Sequence, residues 1–117
     1  MTTLDAPTRW AVVLIALSAM LHLAVVALAG LTGAGLHAVL HVVVYAGLIA
    51  GLTRRSRIVA WLAFFIMAVS GVVAITGIWS VGSEPAILWT TIAIVNGLAT
   101  IAVFGALWRT DSASIEA

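Results

Sequence analysis

The chain has 117 residues, 64% of them hydrophobic and 8% charged, and a mean hydropathy of +1.26. Soluble domains are about 45–50% apolar and about 25% charged, so this composition excludes an ordinary water-soluble fold and points to a lipid bilayer. The five basic residues are all arginines, set against four acids for a net charge of +1, which is too little to make the basic face that nucleic-acid binding needs.

Cysteine is absent. That removes disulfides, thiolate metal centres, iron–sulfur clusters and covalently attached haem. Charge-free stretches occupy residues 10–53, 58–83 and 85–108. A span needs about 20 apolar residues, so the first stretch is twice too long and must fold back. Three glycines within Gly30-Leu31-Thr32-Gly33-Ala34-Gly35 mark the turn, because glycine breaks helices and reaches backbone conformations closed to other residues.

The expected helices are therefore 10–30, 36–52, 58–81 and 86–108. At about 1.5 Å per residue they measure roughly 31, 25, 36 and 34 Å against a hydrocarbon core of about 30 Å. Connections this short make sequential helices antiparallel neighbours. The expectation is an all-α polytopic membrane protein, one domain over residues 1–117, with four transmembrane helices in an up-down-up-down bundle. Ser83-Glu84-Pro85 reads as the start of the last helix: a serine cap, an acid at the positive end of the dipole, and a proline in the first turn.

Arg9 precedes the first helix, Arg54, Arg55 and Arg57 fill the second connection, and Arg109 follows the fourth. All five fall on one side, so the positive-inside rule predicts both termini in the cytoplasm of a cell whose inner membrane holds the protein. Arg54, Arg55 and Arg57 are read first as topology signals and second as a site for anionic lipid head groups. Trp10, Trp61 and Trp108 fall near the inner interface and Trp79 and Trp89 near the outer one, where indole rings settle. A competing reading takes Arg9, the first apolar run and Ala27-Leu28-Ala29 as a secretory signal peptide. The run is longer than the roughly 7–15 residues of such a core, and cleavage would leave three helices with termini on opposite sides.

No carboxylate lies within any expected span, which counts against proton- or sodium-coupled transport through intramembrane acids. The polar candidates are His22, His37, His41, Tyr45, Asn96 and several hydroxyls. Ser18 and His22 share one helix face, and His37, His41 and Tyr45 repeat at i, i+4 and i+8 on another. His22 and His41 fall at comparable depths, so the first two helices can turn these faces toward each other.

Three chemistries suit that cluster. The first is axial ligation of haem b by His22 and His41. The second is a zinc or copper site of His22, His37 and His41. The third is a proton or quinone site with Tyr45 as hydrogen-bonding partner. Against these stands a purely structural role, in which neutral histidines bond one another, Ser18 or main-chain carbonyls and hold the helices together. Asn96, near the middle of the fourth helix, is expected to face a neighbour and to pair with Ser70. Gly47 and Gly51, and Ala93 with Gly97, form small-x-x-x-small pairs that suit close helix packing, within the bundle or against another subunit.

No nucleophile elbow, Walker loop, dinucleotide fingerprint or H-E-x-x-H motif is present. The expectation is a non-enzymatic subunit or scaffold whose partners are the lipid bilayer and other membrane subunits or further copies of itself, with no nucleic acid. The alternatives are a histidine-ligated cytochrome or quinone-linked anchor, and a small oligomeric transporter.

Overall fold

The computed structural model describes residues 4–31, 33–79 and 85–116, with side chains as far as Arg109. The described residues form α1 (Ala6–Ala29), α2 (Ala34–Thr53), α3 (Arg57–Ile78) and α4 (Ala86–Glu116). All four are long and apolar enough to cross a membrane. Ser83 and Glu84, expected to start the last helix, lie outside the described residues, and α4 begins directly after Pro85.

Two helices start or end differently from the charge pattern. The chain enters α1 four residues before Trp10, because Asp5 accepts a hydrogen bond from the Thr8 amide and Pro7 occupies the first turn. Both features favour a helix start. At the other end, α4 continues past Arg109 to Glu116. Its apolar part stops at Arg109, so charge ends the span without ending the helix.

The connections are settled by backbone chemistry. Between α1 and α2, Gly30 (φ 73°) and Gly33 (φ 54°) both take left-handed conformations, and a side chain at Gly35 would collide with the Gly30 carbonyl. After α2, the Arg55 amide bonds to the Leu52 carbonyl and the Ser56 amide to the Gly51 carbonyl. This is the paired closure that normally uses a left-handed glycine. Here Arg55 takes that place at φ 59°. Ser56 then caps α3 by accepting from the Val59 amide.

Each helix buries one narrow stripe. On α1 it is Ala11, Ile15, Ser18, His22 and Val25, stepping by four and three residues as in coiled-coil seams. In space the helices run α2, α1, α4, α3, with α3 returning to make the sparsest contact against α2. Two apolar clusters result. One gathers Ala11 and Ile15, Leu48 and Leu52, Ala60 to Met67, and Val103 and Leu107. The other gathers Val25, Ala38, Ala74 and Ile92. Between these stretches of each helix fall Ser18 and His22, Ser70, and Asn96, all buried. Polarity is thus inverted relative to a soluble protein. Leu, Val, Ile, Phe and Trp crowd the outer surface, which suits lipid.

The glycines expected to pack behave differently from one another. Gly51 meets the Val59 side chain so closely that a Cβ could not be added without displacing it. Gly47 and Gly97 face outward, with nothing within 4 Å of an added Cβ, so neither is a packing contact within the bundle. The close α3–α4 approach runs instead through Gly71, where an added Cβ would stand 3.5 Å from Asn96 Cβ.

Gly51→Ala is expected to cost about 1–3 kcal/mol by overpacking, whereas Gly47→Ala is expected to gain about 0.5–1 kcal/mol of helix propensity. Denaturant unfolding in detergent micelles reads both, and equal effects at the two positions would contradict this packing.

Candidate functional site

The site is a layer of polar side chains between the two apolar clusters. Ser18 and His22 come from α1, one turn apart on its buried stripe. His41 and Tyr45 come from α2 at the same spacing, and Asn96 comes from α4. Ser18 Oγ donates to Asn96 Oδ1 at 2.5 Å, and Asn96 Nδ2 donates to the Tyr45 hydroxyl at 3.3 Å. Ser70 of α3 also lies beside that hydroxyl. Asn96 therefore joins Ser18 and Tyr45, correcting the expectation that it pairs with Ser70. The diagonal helices α2 and α4 have no close backbone contact, so the Asn96–Tyr45 bond ties them through side chains alone.

The His22 and His41 rings stack face to face, with centroids 4.8 Å apart and planes 11° from parallel. Tyr45 presents its ring edge-on to both, at 5.3 Å and 5.8 Å, the geometry that aromatic quadrupoles favour. His22 Nδ1 lies 2.7 Å from the Ser18 carbonyl and His41 Nδ1 lies 2.8 Å from the His37 carbonyl. A carbonyl only accepts, so Nδ1 carries the proton in each ring. In the neutral rings Nε2 is then left as an acceptor.

This geometry bears on the cofactor readings. A haem iron takes two histidines end-on from opposite faces of the macrocycle. Rings stacked on each other at 4.8 Å leave no slot for a macrocycle between them, so His22 and His41 as placed do not fit haem b. The proposed trio His22, His37 and His41 is also not assembled. Among the described residues no group of three metal-ligating side chains is placed to hold an ion. His37 is exposed one turn away and contributes its main-chain carbonyl to His41.

Trp89, expected with Trp79 as an outer interfacial ring, is placed differently. Trp10, Trp61, Trp79 and Trp108 are all exposed, as interfacial rings should be. Trp89 is turned inward against Gly77, where a Cβ would come within 2.7 Å of the indole Cδ2. Its Nε1 is buried and has no hydrogen-bond partner among the described residues. The glycine seven residues from Ser70 was the available signal, since it opens room for one large ring.

A cavity of about 280 Å³ adjoins this layer on the α2–α3 seam, lined by His22, His37, His41, Ser70, Thr76 and Trp89 together with Gly77 and small apolar residues. A second cavity, about 440 Å³, lies at the other end of the bundle against Asp5, Thr8, Arg55, Ser56 and Arg57. Arg54, Arg55 and Arg57 are themselves exposed.

No protein-family model matches the chain, and neither curated proteins nor solved structures give a match.

Ser18→Ala and Tyr45→Phe are each expected to cost about 0.6–1.7 kcal/mol, between the average and the largest value found for hydrogen bonds between membrane helices. The double variant is expected to depart from their sum, because both partners orient the same Asn96 amide. Unfolding in mixed micelles gives all three values, and strict additivity would mean that the two bonds act independently.

Proposed function

We propose that the chain is a non-catalytic subunit or scaffold of a larger membrane complex. It forms one up-down-up-down bundle in the cell inner membrane with both termini in the cytoplasm. The observation that carries this reading is how the intramembrane polar groups are used. Ser18, Asn96 and Tyr45 bond one another across three helices, and His22 and His41 spend their Nδ1 hydrogens on their own helices' carbonyls. In hydrocarbon such bonds fix helix register, and none of them involves an acid or nucleophile poised for reaction.

Two further features support it. Gly47 and Gly97 leave open, backbone-close patches on the outer surface, which a neighbouring helix can approach as small residues allow. The up-down order is supported by the larger apolar cluster, which joins the early part of α1, the late part of α2, the early part of α3 and the late part of α4. Arg9, the Arg54–Arg57 turn and Arg109 belong to that same end of their helices, and clustered arginine favours the cytoplasmic side.

Because the chain has no cysteine, single substitutions can report topology without background. Leu31→Cys is expected to react with an impermeant thiol reagent applied to the outside of intact cells. Leu4→Cys and Thr53→Cys are expected to react only after permeabilisation, and the reverse pattern overturns the orientation. Native mass spectrometry of the gently extracted protein is expected to find it in an assembly heavier than one 12.1 kDa chain; a lone chain overturns the subunit reading.

A further inference from the structure

The cavity of about 440 Å³ at the arginine end of the bundle is not used by the scaffold reading, and residues of both charges line it. Arg55 and Arg57 are cationic, Asp5 is anionic, and Ser56 adds a hydroxyl. Asp5 takes one hydrogen bond, from the Thr8 amide to Oδ1, and among the described residues no ion pair joins it to either arginine. The opposite charges therefore share one cavity without closing on each other. Both arginines are exposed, and each guanidinium carries five donors, so one that serves a neighbour keeps donors for a ligand.

Arg55 is the more telling of the two. It holds φ 59° at a helix closure that ordinarily takes glycine, in a conformation unfavourable for L-residues. Orientation in the membrane asks for basic charge in this connection but not at that residue, since Arg54 and Arg57 already supply it. Strained backbone that persists is a pointer to function. Here it places Arg55 on the cavity wall, of which Arg54 is not a part.

Position and lining narrow the ligand. Thr8, Leu52, Ala60 and Leu107, one lining residue from each helix, each stand within three residues of an arginine, less than about one helical turn. Trp10, Trp61 and Trp108 are exposed near the same helix ends, where indole rings mark the interface with lipid head groups. A ligand that answers both charges is a zwitterion. Arginine pairs match the oxygens of phosphate, and the lone pairs left on Asp5 require a cation with N–H donors, which a primary ammonium has and a trimethylammonium lacks. Leu52, Ala60, Ala106 and Leu107 are apolar and buried, a floor that a lipid's glycerol and first methylenes cover and a small soluble zwitterion leaves bare. The volume falls within the roughly 300–1,000 Å³ of ordinary small-molecule sites.

We infer that this cavity binds the phosphoethanolamine head group of a membrane phospholipid, with its phosphate on Arg55 and Arg57 and its ammonium on Asp5. The inference is independent of the subunit proposal and of the orientation in the membrane, because it is read on the purified chain alone.

The test adds dioleoyl phosphatidylethanolamine, phosphatidylcholine or phosphatidylglycerol to the full chain in detergent micelles and counts retained lipid by native mass spectrometry. Expected is saturable binding of one phosphatidylethanolamine per chain, with the other two at least tenfold weaker. Asp5→Asn keeps a capping side chain on α1 and removes the charge; it is expected to weaken phosphatidylethanolamine about tenfold, the loss of one charge-assisted hydrogen bond, and to leave phosphatidylcholine unchanged. Arg55→Gly relieves the left-handed backbone, so it is expected to raise the unfolding temperature while weakening phosphatidylethanolamine about tenfold. Absence of saturable binding, equal binding of phosphatidylcholine or phosphatidylglycerol, or undiminished binding by either variant overturns the assignment. Free phosphoethanolamine binding as tightly as the lipid overturns a source in the membrane. If a variant does not fold, the lipid series on the unaltered chain decides the matter by itself.

Discussion

A polar side chain within hydrocarbon has only the rest of the protein to bond with. The buried layer of Ser18, His22, Tyr45 and Asn96 is the response of this chain to that constraint. Apolar contacts between such helices are permissive, because lipid tails are as apolar as leucine and packing alone discriminates weakly between rotations. Turning α4 by half a turn would lose its close approaches to Gly71 and Gly77 of α3 and would also place the Asn96 amide in lipid. The bonds from Asn96 to Ser18 and Tyr45 therefore set the rotation of three helices together. The two apolar clusters then fall into place on either side.

The same layer explains where the bundle is loose. Hydrogen bonds link α1, α2 and α4, and α3 joins them through Ser70 beside the Tyr45 hydroxyl and through its small-residue approach to α4 at Gly71. The remaining seam, α2 against α3, carries the least contact and contains the cavity. Gly77 contributes by giving the Trp89 ring room to turn inward. The cavity lies beside the polar layer, and the His22, His37 and His41 rings with Ser70 and Thr76 give its lining polar character.

The turns show local preference and charge pulling in different directions. Between α1 and α2 they agree: Gly30 and Gly33 supply the left-handed conformations and carry no charge. Between α2 and α3 they conflict. The closure after α2 suits glycine, and an L-residue there loses about 1–2 kcal/mol; the position is nevertheless Arg55. In the proposed topology a basic residue in this connection favours the cytoplasmic side, against the local backbone cost. Conflicts of this kind between local and global demands are expected where a residue has a task beyond folding.

The sequence by itself determined the number and approximate limits of the apolar helices, because charge is expensive in lipid and its positions are visible in the chain. It also placed His22 near His41 and turned Asn96 inward, since helical periodicity and the cost of a bare amide need no coordinates. Only the tertiary structure decided which partners these residues take. Asn96 reaches Ser18 and Tyr45 instead of Ser70, the histidines stack where a haem would need them apart, Trp89 turns inward, and Gly47 and Gly97 turn out. The physical reason is that these helices are apolar on every side. A soluble helix announces its buried face by amphipathic pattern, whereas here the rotation of each helix is fixed by a few hydrogen bonds and close approaches that exist only once all four are assembled.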